Sequence, residues 1–71
     1  MMQTIEIKCV DRHTFRMLSE YVGSKYDIRA YGLKNLICVC ARNESEAEAI
    51  FDDVAYQLDC WCDLNAEMEL V

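Results

Sequence analysis

Thiolate sulfur and imidazole nitrogen are the ligands zinc prefers, so Cys9, Cys38, Cys40, Cys60, Cys62 and His13 are the first residues in this chain to weigh for chemistry. Their spacing argues against a metal. Cys38-Val39-Cys40 and Cys60-Trp61-Cys62 are C-x-C pairs, whereas zinc knuckles and redox pairs use C-x-x-C. In a strand, residues i and i+2 share a face but their sulfurs do not readily converge on one ion. Small buried thiols are also ordinary core residues. A cysteine nucleophile paired with His13 would need a lowered thiol pKa, and the carboxylate of Asp11 works against that. No metal, cofactor or catalytic set is expected, and the chain reads as non-enzymatic.

The strongest signal is the distribution of charge. The chain has 13 acidic and 7 basic residues, a formal net charge of −6. All of the basic residues lie at or before Arg42. Residues 43–71 carry Glu44, Glu46, Glu48, Asp52, Asp53, Asp59, Asp63, Glu67 and Glu69 with no base among them. A surface of that sign repels phosphate backbones, which argues against nucleic-acid binding. It suits a protein partner with a basic surface, or the basic half of a second copy. Glu44, Glu48, Asp52 and Asp59 are therefore candidate binding residues.

With 71 residues, the chain is a single domain, residues 1–71. So short a chain buries only about 60% of the surface its unfolded form exposes, so the core is small. Any site must lie on a surface, in a shallow groove or at an interface. The 54% hydrophobic content makes oligomerisation a reasonable way to cover apolar surplus. No apolar run approaches the roughly 18 residues of a membrane span. Met1-Met2-Gln3 leads directly into a strand, without a basic then apolar leader. With an odd number of cysteines, this reads as a cytoplasmic chain with reduced thiols and no membrane partner.

The elements that must position these residues follow from periodicity. Ile5, Ile7 and Cys9 alternate with Thr4, Glu6 and Lys8 over a first strand, residues 4–10. Asp11 is a suitable N-cap for a helix over 12–23, whose apolar stripe is Phe15, Leu18 and Val22 with Met17 and Tyr21. Gly23 is its expected stop. Residues 26–31 alternate as a second strand, and 32–35 form a turn. Leu36–Ala41 is apolar throughout, the pattern of a strand covered on both faces. Asn43 and Glu46 resemble a capping box ahead of a helix with Ala47, Ile50, Phe51, Val54, Ala55 and Leu58 inside and its acids outside. Strict alternation from Cys62 to Leu70 predicts a last strand.

The order βαββαβ, with right-handed crossovers, gives an α+β ferredoxin-like sandwich. Its four-stranded antiparallel sheet has the order 4-1-3-2, with both helices on one face. In that topology Cys9, His13, Cys60 and Cys62 fall near one sheet edge, with Cys38 not far below. The open face is expected to show Thr4, Glu6 and Lys8, parts of Ile37-Val39-Ala41, and acids of the last strand. It lacks the aromatic pair with which RNA-recognition sheets stack bases.

Residues 5–12, Ile-Glu-Ile-Lys-Cys-Val-Asp-Arg, resemble the first strand and Asp-Arg turn of ACT domains, with Tyr26-Asp27-Ile28 in the place of their second strand. His13 and Thr14 stand where that family has a glycine. This resemblance implies a small regulatory module that senses an amino acid near Asp11 and Arg12. His13-Thr14 followed by Arg16 is similar to the phosphoacceptor segment of HPr-type carriers, one residue displaced and without its proline. That resemblance implies phosphoryl transfer at His13, where helix N–H groups could receive the oxygens. Asp11, Arg12 and His13 join the four acids as candidate binding residues, and the function expected first is a regulatory protein-interaction domain, an acidic inhibitor of a basic target or a homo-oligomer, that binds through its acidic C-terminal half or its open sheet face.

Overall fold

The computed structural model describes residues 2–71; Met1, read above as leading into the first strand, lies outside the described residues. The elements are β1 (Gln3–Cys9), α1 (Arg12–Gly23), β2 (Ile28–Tyr31), a 3₁₀ turn (Gly32–Lys34), β3 (Leu36–Ala41), α2 (Glu44–Cys60) and β4 (Ala66–Leu70). The strands form one antiparallel sheet in the order β2-β3-β1-β4. No helix among the described residues is long and apolar enough to cross a membrane.

The alternation of β1 sets which face is covered. Ile5, Ile7 and Cys9 are buried and pair in register with Val39, Ile37 and, on the other side, Leu70, Met68 and Ala66. Both helices pack on this face, contributing Phe15, Leu18 and Val22 from α1 and Ala47, Ile50 and Val54 from α2 to one continuous core. Full burial of each large aliphatic side chain stabilises by about 1.5–3 kcal/mol before conformational entropy is charged against it. The side chains at 0–1% exposure (Ile5, Ile7, Leu18, Val22, Ile37, Val39, Ile50 and Val54) therefore carry most of the cohesion.

β3 corrects the expectation of a strand covered on both faces. Ile37, Val39 and Ala41 are buried, while Leu36, Cys38 and Cys40 are only half-buried. The apolar patch expected on the open face from Ile37, Val39 and Ala41 is thus their odd-and-even complement. In an unbroken apolar run both alternations look equivalent, and only the helices choose between them.

The helix starts follow from their caps. Asp11 Oδ1 accepts the Thr14 N–H at 2.8 Å, and Asn43 Oδ1 accepts the Glu46 N–H at 2.8 Å. Glu46 answers with Oε1 accepting from the Arg42 N–H at 3.2 Å, one residue earlier than a capping box requires. α1 ends at Gly23 as expected, though not through a left-handed conformation. No described glycine has positive φ, and the Ser24 N–H closes the helix on the Glu20 carbonyl. Among the described residues the one left-handed non-glycine is Asn35, φ 51°, which ends the 3₁₀ turn, a conformation asparagine tolerates well.

Two strands begin later than their alternation implies. Residues 26 and 27 precede β2 because the Tyr26 and Lys25 N–H groups both donate to the Val22 carbonyl, finishing α1. Residues 62–65 precede β4 because α2 runs to Cys60 and the Leu64 N–H then donates to the Trp61 carbonyl in a turn. Leu64 is buried there without strand pairing.

The face assignment of β3 yields a direct test. Ile37→Ala should lower unfolding free energy by about 2–5 kcal/mol, whereas its neighbour Cys38→Ala should change it by less than about 1 kcal/mol. Denaturant titration of the two variants checks this; equal losses would contradict the assignment.

Candidate functional site

The start of α1 holds Asp11, Arg12 and His13, all exposed. Asp11 is engaged as the cap, and the Thr14 amide that donates to it holds its carboxyl below the ordinary value, with His13 a minor contributor. Arg12 folds back over the Phe15 ring, its guanidinium carbon 5.7 Å from the centroid. It also lies against Gly32, where an added Cβ would fall 2.9 Å from Arg12 Nη1. A side chain at position 32 would require only the flexible, exposed end of Arg12 to shift. His13 shares a shallow recess with Arg12, Arg16, Met17 and Glu20. The structure thus brings Arg12 and His13 together, with Asp11 turned to the helix backbone.

Thr14, next in sequence, is fully buried; its hydroxyl meets no strict hydrogen-bond geometry among the described residues, yet it stands with the Thr14 amide among the causes that lower the Asp11 carboxyl.

The four acids form a second group, distinct from the first. Glu44, Glu48, Asp52 and Asp59 are exposed on α2. Their spacings of four, four and seven residues place them on one stripe of the helix. Asp52 and Glu48 border a recess between α2 and β4 that Phe51 and Leu70 complete. None of the four has an ion-pair partner among the described residues. Helix stability alone would not select this arrangement. Like charges at i, i+4 repel, by about 0.2–0.5 kcal/mol per pair. Asp59 places negative charge near the negative end of the helix dipole, and the last turn has no basic residue.

Asp53 departs from the expectation that the acids of α2 lie outside. It is turned inward and ties α2 to the end of α1. Tyr21 Oη donates to its Oδ1 at 2.8 Å, Lys25 Nζ donates to Oδ2 at 2.8 Å, and Tyr26 Oη donates to Oδ2 as well. Lys25 Nζ also donates to Tyr21 Oη at 3.1 Å and lies 4.9 Å from that ring's centroid. Trp61 meets Tyr21 edge-to-face, centroids 5.6 Å apart. Hydrogen bonds from Lys25 and then Tyr26 hold the Asp53 carboxyl down at about 2. Burial and then the bond to Asp53 push Tyr26 up to about 12. The Asp53 bonds likewise raise Lys25 above its ordinary value. Sequence reasoning missed this cluster because Tyr21 fits an apolar stripe and Tyr26 an alternating strand. The available signal was position: Asp53 stands three residues after Ile50 and beside Val54, at the border of the buried stripe.

The thiols differ in face and exposure. Cys9 is buried on the covered face, where burial, then Asp11, pushes its thiol up to about 11. Cys38 and Cys40 lie on the opposite face; Cys60 ends α2 and Cys62 follows it, both exposed. Burial, with Glu6 and Cys40 adding, also raises the Cys38 thiol. Among the described residues no group of three or more His, Cys, Asp or Glu side chains could hold a metal ion.

Set against protein-family models, curated proteins and solved structures, the chain matches none of them.

The Asp53 cluster should make stability pH-dependent. A carboxyl whose folded pKa is depressed stabilises fully above its unfolded pKa, near 4, and the contribution disappears as pH falls through about 2. Asp53→Asn should lower stability at pH 7 by roughly 2 kcal/mol and flatten the acid limb between about pH 4 and 2, both read by urea unfolding. An unchanged acid limb would contradict the assignment.

Proposed function

We propose that this chain is a non-enzymatic interaction domain of ferredoxin-like βαββαβ architecture that binds a protein with a basic surface through the acidic stripe of α2. The observation that carries the reading is that Glu44, Glu48, Asp52 and Asp59 line up, exposed and unpaired, on one helix among the described residues. Glu44 in the first turn suits the helix dipole, but the i, i+4 repulsion along the stripe and Asp59 near the C-terminal end work against the helix, and sequences keep locally unfavourable choices mainly where function requires them. A basic partner would relieve the i, i+4 repulsion and supply the positive charge missing from the last turn. Complementary fields of this kind speed association and select against acidic competitors. The recess of Phe51 and Leu70 beside Glu48 and Asp52 offers an apolar anchor next to the charges, the combination that binding hot spots use.

Amino-acid sensing at Asp11 and Arg12 receives less support. Asp11 is engaged with Thr14 and Arg12 with Phe15, so a ligand would have to displace both. Phosphoryl transfer at His13 draws support from Arg12 and Arg16 beside it. The Asp11 carboxylate, already seated on the helix N–H groups, would oppose an incoming phosphate.

The reading predicts two effects of opposite sign from one variant. Neutralising the stripe as Glu48→Gln, Asp52→Asn and Asp59→Asn together should stabilise the isolated domain by about 0.5–1 kcal/mol. The same variant should bind an immobilised lysine-rich peptide at least about tenfold more weakly at low salt. Calorimetric melting and surface binding measure the two. Peptide affinity that is the same at low and high salt, and in variant and parent, would overturn the reading.

A further inference from the structure

The face of the sheet turned away from the helices is a second surface, and its charges are ordered. Strand register places Arg29, Cys38, Glu6 and Glu69 in one row across the sheet, and Tyr31, Leu36, Lys8 and Glu67 in the next. Arg29 on the β2 edge and Glu69 on the β4 edge are both exposed. The two edges therefore carry opposite charge, with half-buried Leu36 and Cys38 between them and Tyr31 44% exposed at the side. Glu6 and Glu69 are direct cross-strand neighbours of the same sign, an arrangement that is unfavourable in the isolated sheet. A cation placed over them from outside would relieve it.

We infer that this face pairs with the same face of a second copy, about a twofold axis parallel to the strands. Charge selects that axis. A twofold parallel to the strands and centred between β3 and β1 lays β2 of each copy over β4 of the other. Arg29 then faces Glu69 of the second copy twice, by symmetry. Cys38 lies over Glu6, Leu36 over Lys8 and Tyr31 over Glu67, with no like charges opposed. A twofold across the strands opposes like charges at each of its settings: along the first row it sets Arg29 against Arg29 and Glu6 against Glu6, along the second Lys8 against Lys8, and midway between them Glu69 against Glu67. Isologous pairing of this kind is the commonest form of self-association, and it keeps the strand directions aligned, as sheet-on-sheet packing prefers.

The patch is small. At strand spacings of about 4.8 Å and rises of about 3.3 Å per residue, two rows and their flanks span roughly 19 by 17 Å, well short of the ~800 Å² per partner of a standard interface. The pair should therefore be reversible and dissociate on dilution. The acidic stripe of α2 lies behind the helix layer, on the far side from the contact, so this inference stands independently of the function proposed above.

Sedimentation velocity of the full chain over a range from micromolar to millimolar concentration tests it. The parent should shift from monomer toward dimer as concentration rises. Arg29→Glu alone, and Glu69→Arg alone, should each weaken dimerisation at least about tenfold, and the double exchange should restore it, because the pair is rebuilt with its signs reversed. Circular dichroism on each variant confirms folding, and both positions are exposed. A parent that stays monomeric at millimolar concentration overturns the inference. So does a dimer that either single reversal leaves intact, or one that the double exchange fails to restore.

Discussion

Two helices can roof only one face of a four-stranded sheet, and this constraint organises the rest of the molecule. α1 and α2 both pack on the face of Ile5, Ile7, Ile37 and Val39, which concentrates the core in one layer. It leaves a face on which Leu36, Cys38 and Cys40 are half-covered among charges. It also turns the outer side of α2 wholly to solvent, where Glu44, Glu48, Asp52 and Asp59 stand. The two surfaces so created lie on opposite sides of the domain. One is acidic; the other carries both signs.

A core this thin needs its helices fixed laterally, and Asp53 does that. One carboxylate receives Tyr21, Lys25 and Tyr26, all from the end of α1 and the residues just after it. The lysine neutralises a charge that burial would otherwise penalise, and the two hydroxyls saturate its oxygens. Trp61, at the end of α2, extends the junction onto the Tyr21 ring. Of the acids on α2, then, one is structural and the stripe beside it is not. The distinction rests on a single step around the helix between Asp52 and Asp53.

Much of this was legible in the sequence. The alternation of Ile5, Ile7 and Cys9, the caps at Asp11 and Asn43, and the apolar spacing of both helices are local signals, and the elements they mark are present. The faces of β3 were not legible, because Leu36–Ala41 is apolar at every position and only tertiary contact separates its two alternations. The start of β4 was obscured when Cys62 and Leu64 imitated a strand period while the chain was still leaving α2. Of the candidate site residues, the exposure of the four acids and the capping role of Asp11 could be read directly. The seating of Arg12 on Phe15 and Gly32 could not, since it joins residues on different elements. The Asp53 cluster was hidden for the same reason: a charged residue announces its charge but not its partners.

The central claim is that the acidic stripe of α2, rather than the start of α1, is the surface that meets a partner. The most direct measurement is a nuclear magnetic resonance titration of the isotopically labelled domain with a lysine-rich peptide at low ionic strength. The account predicts amide shifts confined to the exposed positions of α2 from Glu44 to Asp59 and to Leu70 across the recess, with Arg12, His13 and Arg16 unmoved. Shifts centred on His13, or spread evenly over the surface, would contradict it.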